Sequence, residues 1–263
     1  MTQFSTIIQE EVNKFSRIAK EWWDPNGKFK PLHQFNPIRI EYLQERINSY
    51  FFNINSNLAV KEQWQKLKIL DLGCGGGLVA EAMARNGAQV VAIDASEKNI
   101  EVAKTHLQES SPDLNINYQN LSIEEFVNLY PEEKFDIILA LEIIEHVDNQ
   151  EIFIKYCQQA LKSKDSISLN KGGGLLFIAT INRNIKSLLT AKFAAEYLLR
   201  WLPIGTHQWQ KFLKPSEINS FASRYYLQLN EICGFKYCLL KQKWGKSPKD
   251  SSINYIMDFC SKQ

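Results

Sequence analysis

Apolar residues along the middle of this chain keep two rhythms. Short unbroken apolar runs lie near residues 68–72, 89–93, 115–118, 135–140 and 174–180. Between them, near 78–86, 96–109, 122–129 and 149–162, apolar positions recur every three or four residues. A short unbroken run predicts a strand buried on both faces; the three-four spacing predicts a helix with one buried stripe. Regular alternation of the two predicts an α/β fold, its parallel sheet covered by helices on both sides.

The two ends of the chain break this rhythm. Ile7, Ile8, Val12, Phe15, Ile18, Ala19, Trp22 and Trp23 predict an amphipathic helix over residues 5–23, stopped by Asp24-Pro25-Asn26-Gly27. Residues 28–39 have no clear period and are dense in aromatic, proline and basic side chains. They read either as a packed N-terminal arm or as a segment that closes over a ligand. A second helix is expected from after Pro37 to about Tyr50, and then a polar connector at 53–61. Ser163 to Gly174 reads as a polar surface hairpin or insertion. The tail predicts a helix at 215–223 and strands near 226–232 and 252–259, a pair that suits an antiparallel end to the sheet.

The chemistry begins where the first predicted strand runs out. Lys68-Ile69-Leu70-Asp71-Leu72 passes directly into Gly73-Cys74-Gly75-Gly76-Gly77-Leu78, and a helical pattern follows. Strand, glycine turn and helix make a nucleotide-type site at the carboxyl end of a parallel strand. The dinucleotide fingerprint fails, because its third glycine would fall on Leu78, and no Gly-Lys-Ser/Thr follows to make a phosphate loop. What remains, Asp71 followed by Gly73, Gly75 and Gly77, resembles motif I of the S-adenosylmethionine-dependent methyltransferases. That cofactor carries an amino acid and no phosphate, so Asp71 can help to organise its amino-acid end. Asp94, closing the strand Gln89 to Ile93, is placed to accept both ribose hydroxyls. The plain alternative is an ordinary glycine turn of an α/β fold.

A second constellation, Glu142-Ile143-Ile144-Glu145-His146, follows the fourth predicted strand. If helical, it places Glu142, Glu145 and His146 on one face at i, i+3 and i+4. Two carboxylates and an imidazole could bind a divalent cation, with magnesium or manganese favoured and zinc open. His146 could instead take a proton from a phenolic hydroxyl. The bland alternative is a solvated polar helix start. A third feature is the apolar, basic segment from Asn182 to Pro203, with Arg183, Lys186, Lys192 and Arg200 against the single acid Glu196. This reads as an interfacial membrane helix or as a lid over the site, and the two are compatible. His207, just beyond it, is a second candidate base or ligand.

Composition narrows the classes. The chain has 263 residues, enough for one large domain, and a net charge of +2, which argues against nucleic-acid binding through global charge. Five cysteines without a Cys-x-x-Cys pair argue against a disulfide framework or a zinc site and for a reducing compartment. Cys74 reads as a small filler of the glycine turn. No presequence pattern is evident, and no run reaches the roughly 20 apolar residues needed to cross a bilayer. A cytoplasmic protein is expected.

The residues now carry a specific resemblance. Glu21-Trp22-Trp23-Asp24, then Gly27-Lys28-Phe29-Lys30-Pro31-Leu32-His33, then Asn36-Pro37-Ile38-Arg39, resemble the ubiquinone biosynthesis O-methyltransferases. Ile69 to Glu81, Glu142 to Val147, Thr180 to Arg183, Ala195 to Leu198, Gly205 to His207, Lys211 to Pro215 and Asn254-Tyr255 also fit, so the resemblance spans about residues 11–259. It implies the Rossmann-like S-adenosylmethionine-dependent methyltransferase fold, with a mainly parallel seven-stranded sheet, an antiparallel end strand, a helical N-terminal arm and a helical insertion. One methyltransferase domain is expected over 1–263: a cap at 1–60, a cofactor-binding core at 67–180, a lid or membrane-contact insertion at 182–214 and the end of the sheet at 215–259.

The resemblance also implies roles. Positions matching Arg39, Gly73, Asp94 and Leu141 contact the cofactor, Arg39 through the cofactor carboxylate. Those matching Glu142, Glu145 and His146 are magnesium ligands, and the helix at 184–202 binds anionic membrane lipids. The implied substrates are polyprenylated: 2-polyprenyl-6-hydroxyphenol and 3-demethylubiquinol, methylated at a phenolic oxygen. The implied location is peripheral, on the inner face of a bacterial cytoplasmic membrane, with other ubiquinone-biosynthesis proteins as partners and no nucleic acid. The chain departs from the family pattern at Asn120-Leu121-Ser122, where an acid is usual, in the long turn from Lys162 to Gly174, and over 233–248, which lacks a Tyr-Asn-Pro stretch. The rivals are a methyltransferase for another small phenol or an amine, a nucleic-acid methyltransferase, which lacks its Asn-Pro-Pro-aromatic and Pro-Cys motifs here, and a non-catalytic cofactor-binding scaffold.

Overall fold

The computed structural model describes residues 5–52, 58–164, 173–184, 187, 209–238 and 243–262. Five parallel strands form its centre: β1 (Lys68–Leu72), β2 (Gln89–Ile93), β3 (Ile116–Gln119), β4 (Ile137–Leu141) and β5 (Leu175–Ile181). Three antiparallel strands extend the sheet beyond β5: β6 (Leu227–Cys238), β7 (Lys243–Ser247) and β8 (Asn254–Ser261). The order is β3-β2-β1-β4-β5-β8-β6-β7. It reverses at β1, which pairs with β2 on one side and β4 on the other. That reversal opens a crevice at the carboxyl ends of β1 and β4, where α/β sheets place their ligands.

The sheet has eight strands where seven were expected. The additional one is β7, Lys243-Trp244-Gly245-Lys246-Ser247, whose single large apolar residue gives no readable alternation. It is held as the outer half of a hairpin with β6.

Helices cover both faces. On one side α2 (Lys30–Phe51), α4 (Leu78–Arg85) and α5 (Glu97–Ser110) bury Leu43, Ile47, Met83 and Ile100 against the sheet. On the other, α6 (Ile123–Leu129), α7 (Gln150–Ala160) and α8 (Pro215–Arg224) bury Phe126, Ile154 and Ile218. A short helix, α3 (Val60–Trp64), precedes β1, and Trp64 is buried. Each fully buried large side chain contributes about 1.5–3 kcal/mol, so these layers hold the strands wherever their backbone leads.

The N-terminal region differs from its sequence reading. Helix α1 is shorter than expected, Gln9–Ile18, and passes into a single 3-10 turn, Ala19–Glu21. The segment 28–39 is not irregular: α2 starts at Lys30 and runs through it for 22 residues, with Pro31 in its first turn and Pro37 inside. An interior proline removes one helical hydrogen bond and costs about 3 kcal/mol. Burial of Phe35, Tyr42, Leu43, Ile47 and Phe51 along the same helix offsets that cost.

A buried ion pair fastens α2 to the antiparallel end of the sheet. Asp258 on β8 is fully buried and accepts from Arg46 Nε and Nη2 at 3.1 and 3.0 Å. Asn230, the extra residue of a bulge in β6, also donates to Asp258, at 3.1 Å. Arg46→Ala would leave that carboxylate buried without its cation and should lower stability by about 3 kcal/mol. In urea unfolding, Arg46→Ala combined with Asp258→Asn should cost less than the sum of the two single changes; simple additivity would show that the pair is not the fastening.

Candidate active site

Three chain segments converge on the crevice: the turn after β1, the turn after β4 and the N-terminal arm. In the first turn Gly73, Gly75 and Gly77 all have positive φ, at 66°, 55° and 90°. Gly75 needs that freedom, and it also has no room for a side chain, because a Cβ there would strike the ring of Trp22. At Gly77 a Cβ would strike the hydroxyl of Tyr118 on β3. Asp71, on β1, is buried and one of its carboxylate oxygens has no partner among the described residues. Burial raises its pKa to about 7, against the opposing pull of Arg39.

Asp94 follows β2 and is tied down from several sides. It accepts from Gly75 N at 2.9 Å, Ser96 N at 2.8 Å and Asn99 Nδ2 at 3.2 Å. Cys74 is buried, and burial raises its thiol pKa, consistent with a filler. Asn120 donates through its amide to Asp94 O at 2.9 Å, so it supports the turn that carries Asp94.

Arg39 reaches this place from α2. It is 2% exposed. It donates through Nη2 to Asn36 Oδ1, and its Nη1 lies 3.8 Å from Glu142 Oε1. Its Nε and Nη1 have no hydrogen-bond partner among the described residues. The guanidinium therefore feels the charges of both Glu142 and Asp71, with two nitrogens unpartnered among the described residues.

The turn after β4 is not the helix that the sequence suggested. Leu141 ends the strand, buried, and Glu142 takes a left-handed backbone with φ of 57°, a conformation unusual for a side chain with a Cβ. Its N–H is held by Ala179 O at 2.9 Å. A short 3-10 turn, Ile144–His146, follows. The three expected metal ligands consequently do not share a face. Glu145 points inward and accepts from Thr180 Oγ1 at 2.9 Å, with its other oxygen unpartnered among the described residues. His146 turns to the arm: its Nδ1 lies 2.9 Å from Glu11 Oε2 on α1, and Phe15 meets its ring edge-on. That hydrogen bond holds the Glu11 carboxyl below its ordinary range. Among the described residues no three His, Cys, Asp or Glu side chains are grouped to hold a metal ion. Glu142 and Glu145 do meet: burial first, then the Glu145 charge, push the Glu142 pKa up to about 8. The Glu142 side chain is still 28% exposed, so solvent screens part of that repulsion.

The arm lies across the whole crevice. Glu124 on α6 accepts from Thr6 N at 2.7 Å and Thr6 Oγ1 at 2.9 Å, and Ile7 bridges to Val147. Trp22 stacks on Phe29, and Trp23 donates to Gly76 O at 2.9 Å. Trp23 also stacks on His106, which Glu81 holds at 2.6 Å. Sequence reasoning did not find Asn99, Tyr118 or Glu11, because each acts through a partner many residues away. The spacing of Ser96 and Asn99 behind Asp94 was the only local signal. His207 and most of the 184–202 segment fall outside the described residues.

Comparison with known proteins fits this geometry. A family profile described as "Methyltransferase domain" matches residues 70–168. A protein of Pelagibacter ubique, named ubiquinone biosynthesis O-methyltransferase, is 48% identical over 97% of this chain and 98% of its own length. One of the same name from Bartonella tribocorum is 45% identical over 96% of both chains. Among solved structures, the magnesium protoporphyrin IX methyltransferase of Synechocystis, with bound S-adenosylhomocysteine, aligns with a TM-score of 0.62 over 96% of this chain and 95% of its own, at 14% identity. That last likeness is one of fold.

The carboxyl groups give a pH test. The raised pKa values of Glu142 and Asp71 mean that the folded chain holds protons which the unfolded chain has released. Their stabilising contribution is complete below the ordinary carboxylate values and is lost as pH rises through about 7 to 8. Glu142→Gln should therefore gain stability relative to wild type between pH 5 and pH 8, by urea unfolding without ligand. A constant offset across that range would contradict the assignment.

Proposed function

The chain belongs to the ubiquinone biosynthesis O-methyltransferases, and from that membership we propose that it methylates the phenolic oxygens of 2-polyprenyl-6-hydroxyphenol and 3-demethylubiquinol. It has the fold of S-adenosylmethionine-dependent methyltransferases. The observation that carries the reading to this site is Arg39: a buried cation with donors unpartnered among the described residues, standing beside Glu142 in the turn after β4. A carboxylate is the complement of such a guanidinium. The amino-acid end of S-adenosylmethionine supplies one, and Asp71, with its unpartnered oxygen, suits the ammonium beside it. Asp94 takes the ribose, and Glu142 and Glu145 face the acceptor.

The reaction is an in-line displacement. A phenolate oxygen attacks the sulfonium methyl, forming the O–CH3 bond as the S–CH3 bond breaks, and S-adenosylhomocysteine leaves. Opposite charges neutralise each other in this step, so the protein's work is to align the reactants, exclude bulk water and deliver the oxygen without its proton. The arm across the crevice and the buried turns exclude water. With no metal bound, the raised pKa of Glu142 lets it exchange a proton with a phenolic hydroxyl near neutral pH.

Magnesium fits two of its three expected ligands. Glu142 and Glu145 crowd their charges together, and one oxygen of Glu145 lacks a partner among the described residues, a combination that a divalent cation relieves. His146, engaged by Glu11, stands outside that pair. Bound there, magnesium would lower the pKa of the acceptor hydroxyl. A polyprenyl tail keeps the acceptor in lipid, so we assign the basic, apolar segment at 184–202 to an anionic cytoplasmic membrane surface. Among the described residues no helix is long and apolar enough to cross a membrane.

The test is methyl transfer from labelled S-adenosylmethionine to short-tailed forms of both acceptors, with anionic liposomes and with or without a chelator. Transfer to both acceptors, lost on chelation and restored by magnesium, is expected. Cofactor binding without transfer to either acceptor would overturn the substrate assignment; undiminished transfer under chelation would overturn the magnesium role.

A further inference from the structure

The carboxylate assigned to the ribose and the N-terminal arm are joined in a closed ring of contacts. Asp94 Oδ2 accepts from Gly75 N at 2.9 Å, while Oδ1 accepts from Asn99 Nδ2 at 3.2 Å. The other end of the same amide, Asn99 Oδ1, accepts from Trp22 Nε1 at 3.0 Å. The Trp22 ring then returns to the glycine turn, lying so close to Gly75 and Gly76 that neither could carry a Cβ. A parallel tie runs beside it, between Ser16 and Ser96 hydroxyls 2.6 Å apart.

The orientation of Asn99 is fixed by chemistry. An indole N–H can only donate and an ionised carboxylate can only accept, so the amide oxygen must face Trp22 and the amide nitrogen must face Asp94. Asn99 is 2% exposed, so both ends of its amide depend on protein partners. Tryptophan 22 belongs to an arm that is anchored separately by Thr6, Ile7 and Trp23.

We propose that Asn99 is a positioning residue for the cofactor's ribose, and that Trp22 of the arm sets it. Docking of the arm on the glycine turn orients Asn99, and Asn99 aims the Asp94 carboxylate at the ribose hydroxyls. Cofactor affinity and arm docking are then two sides of one equilibrium, each strengthening the other equally. The inference rests on the assignment of Asp94 to the ribose.

The experiment is calorimetric binding of S-adenosylhomocysteine and of its 2′-deoxyribose counterpart to the full chain. The variants are Asn99→Leu, Trp22→Phe, the two combined, and Asp94→Asn. Trp22→Phe keeps an aromatic ring beside Gly76 and removes the N–H together with the outer ring that lies on Gly75; it remains informative if Asn99→Leu fails to fold, and the double variant separates the N–H tie from the lost packing. Asn99→Leu should weaken binding of the ribose ligand about tenfold, the effect of one lost charge-linked hydrogen bond, and Trp22→Phe, which loses a neutral hydrogen bond, should weaken it by a smaller factor of about three to ten. Each should also shrink the preference for ribose over deoxyribose, and the double change should add nothing to Asn99→Leu. Lowered melting temperature with affinity and ribose preference intact would overturn the proposal and leave a merely structural contact. If Asp94→Asn abolishes the ribose preference while Asn99→Leu and Trp22→Phe do not, the relay fails and the ribose assignment stands. If Asp94→Asn also leaves the preference intact, the ribose assignment itself fails.

Discussion

A guanidinium held away from water is the constraint around which this molecule is arranged. Burying an ion costs several kcal/mol, and among the described residues Arg39 has only Asn36 as a hydrogen-bonded acceptor, with Glu142 near and Asp71 within electrostatic reach. The arrangement is tolerable because the cation on α2 has a carboxyl group on β1 and another after β4 within reach, and its charge opposes the burial that raises their pKa values. Each comes from a different element, so the three meet only when α2 lies on the sheet and β1 pairs with β4. The fold makes the charge cluster, and the cluster in turn leaves donors waiting for an anionic ligand.

The rest of the N-terminal region follows from the same need for exclusion. Opposite charges attract strongly only where water is kept out. The arm does this by crossing the crevice, with two tryptophans on the glycine turn and the Glu11 contact on the acceptor side. His146 is drawn into that closure through Glu11 and Phe15. On the proposed function Glu142 and Glu145 face the chemistry, and His146 helps to fasten the cover.

The central sheet was legible in the chain because each parallel strand is an unbroken apolar run, and Ile137–Leu141 is buried at every position. The glycine turn and Asp94 were legible because their spacing is local. Two things were not. Pro37 reads as a helix boundary, yet α2 runs through it, since burial of Phe35 and Tyr42 on one continuous face outweighs one missing hydrogen bond. Glu142 to His146 carries an α-helical spacing, but a left-handed residue at Glu142 turns the backbone and only a short 3-10 turn follows, so the α-helical spacing does not apply. The contacts of Trp22 with Asn99 and of Glu11 with His146 join residues 77 and 135 positions apart, and no local pattern announces such pairs.

On the proposed function Arg39 is buried to receive the cofactor's carboxylate. The most direct measurement compares the affinities of S-adenosylhomocysteine and of 5′-methylthioadenosine, which lacks the amino-acid end, for wild type and for Arg39→Met. Wild type should prefer the complete molecule by about a hundredfold, the scale of a paired, desolvated charge. In Arg39→Met that preference should collapse, with methylthioadenosine binding nearly unchanged. A preference that survives the substitution would contradict the account and place the carboxylate elsewhere.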